Sequence, residues 1–129
     1  MELADPDFCL TAAGVIGCVT AGFHGALVQR YFVRPARERA QGQPASIRRL
    51  IAPLLQFSTL EWFGGGIALI LAAGVLDDGA RSAVAVLVAA SYTAGGVINL
   101  WATRGRSPGW LMMAAALALI AAGLRPAAS

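Results

Sequence analysis

Four long apolar runs, separated by short polar connections, constrain this chain more than any other feature. They extend from about Phe8 to Val28, Leu50 to Leu76, Ala83 to Thr103 and Pro108 to Leu124. Each reaches or approaches the ~20 residues with which an α-helix crosses a ~30 Å hydrocarbon core. In lipid every backbone N–H and C=O must be satisfied within the segment, so such runs resolve as helices. The expected fold is all-α: an antiparallel bundle of four transmembrane helices, one membrane domain over 1–129, with the N-terminus and C-terminus both outside. The fourth run is the shortest and sits upright or thins the bilayer locally.

Composition argues the same way. Only 13% of the 129 residues are charged, against about 25% in soluble proteins, and the mean hydropathy is +0.65. The net charge is +3, and the positive charge sits between the apolar runs without forming an aromatic-interleaved basic patch. It therefore reads as membrane topology, and no nucleic-acid partner is expected. All ten basic residues are arginine in an Ala- and Gly-rich chain, which suggests a GC-rich bacterial genome and a multi-pass protein of the cell inner membrane. The acidic start, Met1 to Asp7, lacks the positive n-region of a signal peptide, so the first run is expected to remain a membrane helix.

Arginine placement sets the orientation. The long connection 29–49 carries Arg30, Arg34, Arg37, Arg39, Arg48 and Arg49, and the connection after the third run carries Arg104 and Arg106. The other side holds only Arg81 and Arg125, with Glu2, Asp5, Asp7, Asp77 and Asp78. Both arginine loops are thus expected in the cytoplasm. Tyr31 and Phe32 suit an interfacial extension of the first helix, which Pro35 is expected to end. Ser46 is the expected N-cap of the second helix. Pro53 either kinks that helix or, if the helix starts at Ala52, initiates it. Asp77–Gly79 and Arg104–Gly109 read as tight turns.

Lipid is as apolar as leucine, so small and polar residues mark inward faces better than large apolar ones. On that basis the first helix turns Ala13, Gly17, Thr20 and His24 inward. The second turns Phe57, Ser58, Glu61, Gly64, Gly65, Ala68 and Ala72 inward. The third turns Val88, Tyr92, Gly95, Gly96 and Asn99 inward. The fourth has no polar side chain between Trp110 and Leu124 and reads as a cover or an oligomer contact. Gln56 and Thr59 fall away from Glu61 and mark a second contact face, hence a homo-oligomer or a membrane-protein partner.

Glu61 is the sharpest feature. About eleven residues into its run, it lies roughly 16 Å deep at 1.5 Å per residue. Two readings stand: a functional group (proton carrier, counter-ion or substrate contact), or a carboxyl spent on an interhelical hydrogen bond. Tyr92 matches its depth, and a Glu61–Tyr92 hydrogen bond is expected. His24 and Asn99 lie at a shared, shallower depth and are expected to line a cavity open to the cytoplasm, with Thr20 and Ser58 nearby. Arg37, Arg39, Arg48 and Arg49 are candidates for contact with an anionic headgroup. Cys9 and Cys18 are about 13 Å apart along one helix, too far for a disulfide. One histidine and no clustered ligands give no metal site, and no cofactor is expected. No nucleophile elbow, phosphate loop or Cys-x-x-Cys is present.

The plan is similar to that of the membrane-associated eicosanoid and glutathione enzymes, which are also four-helix chains of about this length with a basic loop between helices one and two. The resemblance implies a trimer binding glutathione at the cytoplasmic side. That family carries Glu-x-x-x-Arg-Ala-x-x-Asn leading into helix two, whereas Ala45-Ser46-Ile47-Arg48-Arg49-Leu50-Ile51-Ala52-Pro53-Leu54 has neither the Glu nor the Asn. The likeness is one of topology and transfers no residue. Three functions follow from the residues themselves. The first is a membrane scaffold or accessory subunit, which asks least of them. The second is a membrane enzyme acting on a lipid or other apolar substrate, with Glu61 as acid or base and His24 or Tyr92 assisting. The third is a small proton-coupled transporter subunit centred on Glu61.

Overall fold

Asp5 opens the first helix as its N-cap, its carboxylate accepting the Asp7 N–H at 3.0 Å, with Pro6 in the first turn. The computed structural model describes residues 5–125. Helix α1 spans Pro6–Val28 and passes without a break into a π-helical turn, Gln29–Val33, and then α2, Arg34–Arg39. Pro35 does not end the helix as expected. Proline lacks an N–H and crowds the carbonyl four residues earlier. The wider π turn sits just upstream, where the Arg34 N–H reaches back to the Gln29 carbonyl, and it accommodates that crowding.

The expected loop 29–49 is therefore mostly helical, with Ala40–Pro44 as its bend. Helix α3 spans Ala45–Leu55, and its N-cap is the extended Pro44, with Ser46 already inside the first turn. Pro53 is internal, so of the two readings the kinked one holds. The helix breaks at Gln56 (φ −93°, ψ 1°) and resumes as α4, Phe57–Val75. Helix α5 spans Asp78–Thr103 and starts earlier than the apolar run. Its N-cap Asp77 accepts the Ala80 N–H at 3.0 Å. It ends at Arg104 and Gly105, both left-handed (φ 51° and 76°), where the Gly105 N–H closes on the Leu100 carbonyl. Helix α6 spans Gly109–Gly123.

Among the described residues three helical stretches are long and apolar enough to cross a membrane: Pro6–Arg39, Ala45–Val75 and Asp78–Thr103. Helix α6 has 15 residues, or about 22 Å at 1.5 Å per residue, which is less than one hydrocarbon thickness.

The helices close a ring in which α1 packs on α4 and α6, and α5 packs on the same two. Small residues set the spacing. A Cβ on Gly14 would sit 2.5 Å from the Gly66 carbonyl oxygen, and one on Gly66 would sit 2.6 Å from that of Gly14. The two backbones are therefore in contact, as small residues allow in membrane helices. Further along, Cys18 reaches the Phe63 carbonyl, and Gly25 meets Thr59 and Gln56. Between α4 and α5, Gly65 meets Val88, and Gly95 lies under the Trp62 ring. Between α5 and α6, Gly96 meets Met113. Arg81 pairs with Asp7 at 2.9 Å, tying the start of α5 to that of α1.

Helix α1 buries Ala13, Gly17, Thr20 and Ala21, and α5 buries Val88, Tyr92 and Gly95. Helix α4 is rotated from its expected setting. It buries Trp62, Gly66, Leu69, Ala72 and Ala73, whereas Phe57 is 68% exposed and Glu61 and Gly64 also face outward. The contact of Gly66 with Gly14 on one side and the seat of Trp62 over Gly95 on the other fix this rotation. Gln56 and Thr59 face α1 and form no free second face: the Gln56 amide donates to the Gly25 carbonyl at 3.0 Å. Helix α6 buries Met113, Ala116, Ile120 and Gly123 and so completes the core.

Candidate functional site

Where α1, α5 and α6 diverge near the arginine-bearing connections, they leave a cavity of about 270 Å³. Its walls are Thr20, Phe23, His24 and Leu27 from α1, Gly95 and Asn99 from α5, and Met112 and Met113 from α6, with Trp62 and Ser107–Gly109 completing it. Gly95 lets the Trp62 ring lie directly on the α5 backbone beside this space, where any Cβ would collide with it.

The side chains of Thr20, His24, Asn99 and Ser107 interrupt an otherwise apolar wall. The His24 ring lies 4.6 Å from the Trp62 ring, tilted by 50°, and its Nε2 is 3.2 Å from the Ser58 hydroxyl. That contact holds the imidazole at the wall and draws Ser58 to the site through His24. Asn99 presents its amide beside Gly109, and its side-chain oxygen is buried without a hydrogen-bond partner among the described residues. Thr20 spends its hydroxyl proton on the Ile16 carbonyl at 2.7 Å. The Ser107 oxygen accepts the Gly109 N–H at 3.2 Å, leaving its own proton available.

The other candidates lie elsewhere. Tyr92 is fully buried, and its hydroxyl donates to the Trp62 main-chain carbonyl at 3.1 Å, not to Glu61. Glu61 has no hydrogen bond or ion pair among the described residues, and it does not line the cavity. Glu61, His24 and Tyr92 are thus not joined in one hydrogen-bonded set. Arg37, Arg48 and Arg49 surround a separate concavity with Ala45, and Arg39 is not part of its wall. Cys9 and Cys18 form no disulfide. Among the described residues no three His, Cys, Asp or Glu side chains group as metal ligands.

His24 and Asn99 share a depth that residue counting gives. Trp62, Met112, Met113 and the turn at Pro108 carry no mark in the sequence beyond being apolar or a breaker. Residue counting sets Trp62 and Gly95 about four residues apart in depth, so it gives no signal for their contact. Comparison with known protein families, with curated proteins and with solved structures found no match. The likeness in plan to the glutathione enzymes gains no support from them.

Proposed function

We propose that this chain is an antiparallel bundle of four transmembrane helices that binds a small amphiphilic molecule between α1, α5 and α6. Residue pairs that rise along α1 and fall along α4, such as Gly14 with Gly66 and Gly25 with Thr59, support the antiparallel arrangement. The positive-inside rule favours a cytoplasmic location for 29–49 and 104–106, with both termini outside. The bacterial inner membrane is the location that fits the all-arginine composition.

One observation carries the ligand reading: an apolar cavity walled by the polar side chains of His24 and Asn99, the latter with a side-chain oxygen that has no partner among the described residues. A buried polar atom without a partner costs about 1–3 kcal/mol, and a ligand head group able to donate or accept a hydrogen bond would remove that cost. Small-molecule sites have this form, mostly apolar with a few convergent polar groups, and the cavity's 270 Å³ lies just under their usual ~300–1,000 Å³, which suits a small ligand. The ligand has an apolar body against Phe23, Leu27, Met112 and Met113 and a polar head at Asn99 and His24.

Native mass spectrometry and solvent extraction of the protein in mild detergent test this, wild type beside Asn99→Leu. The wild type should retain a small molecule that the variant lacks. The variant should be at least as stable, because an apolar isostere replaces an unsatisfied amide. Retention of the same species by both proteins, or by neither, would remove the reading.

A second reading, a membrane scaffold or accessory subunit acting as an oligomer, is favoured by Glu61. Its outward position on α4 leaves a carboxyl toward lipid, where ionisable side chains are costly and seldom found. A protein neighbour over this face, with Gly64 allowing close approach, would shelter it.

A further inference from the structure

Helix α3 divides sharply into two faces. Ile47, Leu50 and Leu54 form one stripe at helical spacing, 47%, 54% and 70% exposed. Arg48, Arg49 and Ala45 lie on the opposite side and line a concavity of about 330 Å³, to which α2 contributes Arg37. The arginines converge from two helices joined by the bend at Ala40–Pro44. None of the three has a carboxylate within ion-pair distance among the described residues, where the ion pairs both belong to Arg81. Topology requires positive residues on this side of the membrane, but it does not require three of them to face one hollow without a counter-charge.

Depth identifies what can reach them. The 23 residues of α1 rise about 34 Å, so the π turn and α2 lie at and beyond the end of the hydrocarbon. Tyr31 and Phe32, 59% and 60% exposed, lie at the same level, as interfacial aromatics do. The exposed stripe of α3 suits partial immersion of that helix, which holds its arginine face at the height of lipid phosphates. Guanidinium groups bind phosphate oxygens through paired, charge-assisted hydrogen bonds.

We propose that Arg37, Arg48 and Arg49 form a binding site for a phosphate group, a monoester or diester, carried by an anionic phospholipid headgroup or by a free phosphate compound at the membrane surface. The site is separate from the cavity at His24 and Asn99, and it stands whether or not that cavity holds a ligand.

The full chain in mild detergent is titrated with phosphatidylglycerol, with phosphatidylcholine and with inorganic phosphate, followed by native mass spectrometry and thermal unfolding. The proteins are wild type, Arg48→Gln/Arg49→Gln, Arg37→Gln and, as a charge control, Arg104→Gln/Arg106→Gln. The wild type and the control should hold phosphatidylglycerol in preference to phosphatidylcholine. The double variant at 48 and 49 should lose at least about tenfold in affinity, since it removes two charge-assisted contacts. Arg37→Gln should lose a smaller factor, and it reports on the site if the double variant fails to fold. Stabilisation of the wild type by inorganic phosphate alone, with displacement of the lipid, would assign a free phosphate as a sufficient ligand. Stabilisation by the lipid only would assign the headgroup. Unchanged binding in Arg48→Gln/Arg49→Gln and Arg37→Gln, or an equal loss in the Arg104→Gln/Arg106→Gln control, would overturn the proposal.

Discussion

Gly17→Ala is the sharpest test of how the helices fit. A Cβ at Gly17 would collide with the Tyr92 hydroxyl, with the ring carbon Cζ at 2.6 Å and Cε2 at 3.0 Å. Tyr92 is fully buried and cannot swing into free space. Its hydroxyl is committed to the Trp62 carbonyl at 3.1 Å, so any retreat also strains that bond. Overpacking a well-filled core costs about 1–3 kcal/mol, and an interhelical hydrogen bond in a membrane protein contributes about 0.6 kcal/mol on average. The expected loss is therefore about 2–4 kcal/mol. Unfolding in mixed micelles at graded denaturing-detergent fraction measures it, with Gly22→Ala as the control, because a Cβ at Gly22 meets nothing within 4 Å. Tyr92→Phe alone should cost about 0.6 kcal/mol, the lost hydrogen bond. Combined with Gly17→Ala it should restore part of the loss, since it removes the nearest clashing atom and leaves Cζ. Additive losses in that double-mutant cycle would refute the contact. So would a Gly17→Ala protein as stable as Gly22→Ala.

Asp77→Ala removes the side chain that caps α5 through the Ala80 N–H and should cost about 1 kcal/mol, whereas Asp78→Ala should change stability by less than about 0.5 kcal/mol. Equal effects in detergent unfolding would mean that the cap is not formed. Glu61→Leu should lower the oligomeric mass seen by size-exclusion chromatography with light scattering, without destabilising the single bundle, and an unchanged mass would count against a protein neighbour on that face.

The sequence made the helical passes legible because hydrocarbon thickness sets a length that few other constraints mimic. The inward face of α1 was legible too: Ala13, Gly17 and Thr20 are the small and polar positions that close packing requires. On α4 the same rule was right for Ser58, Gly65 and Ala72 but misplaced Phe57, Glu61 and Gly64. It assumes one buried face per helix, whereas α4 meets α1 through Gly66 and α5 through Trp62, and its glycines lie on more than one side. Lipid accepts Phe57 and Leu60 as readily as a core would, so apolar size carries no signal there. The helical form of Arg34–Arg39 was hidden for another reason. Six residues are far too few to hold a helix alone, and this segment is helical because it continues α1 through the π turn and rests on α3.

The polar side chains of the interior separate the two readings of function. Tyr92, Thr20, His24 and Gln56 each have a partner within the chain, at the Trp62 carbonyl, the Ile16 carbonyl, the Ser58 hydroxyl and the Gly25 carbonyl. Buried atoms of Gln56, Thr59, Arg81, Ser91 and Asn99 keep no partner among the described residues, and of these five residues only Asn99 lines the cavity; the exposed Glu61 differs from it in kind. Asn99 is part of the cavity wall and its side-chain oxygen is buried, so a partner that reaches this side chain must be small enough to enter the cavity. Glu61 is open on the outer surface of α4, so what satisfies it can be as large as another helix. The hollow lies where α1, α5 and α6 diverge and Glu61 faces out from α4, so one group can be satisfied without the other. A small ligand at Asn99 and a protein neighbour at Glu61 are therefore compatible, and the substitutions separate them. Asn99→Leu should empty the cavity and leave the oligomer, and Glu61→Leu should dissociate the oligomer and leave the cavity filled. Loss of both properties in either single variant would mean that the cavity is completed by the neighbouring copy, and the two readings would become one.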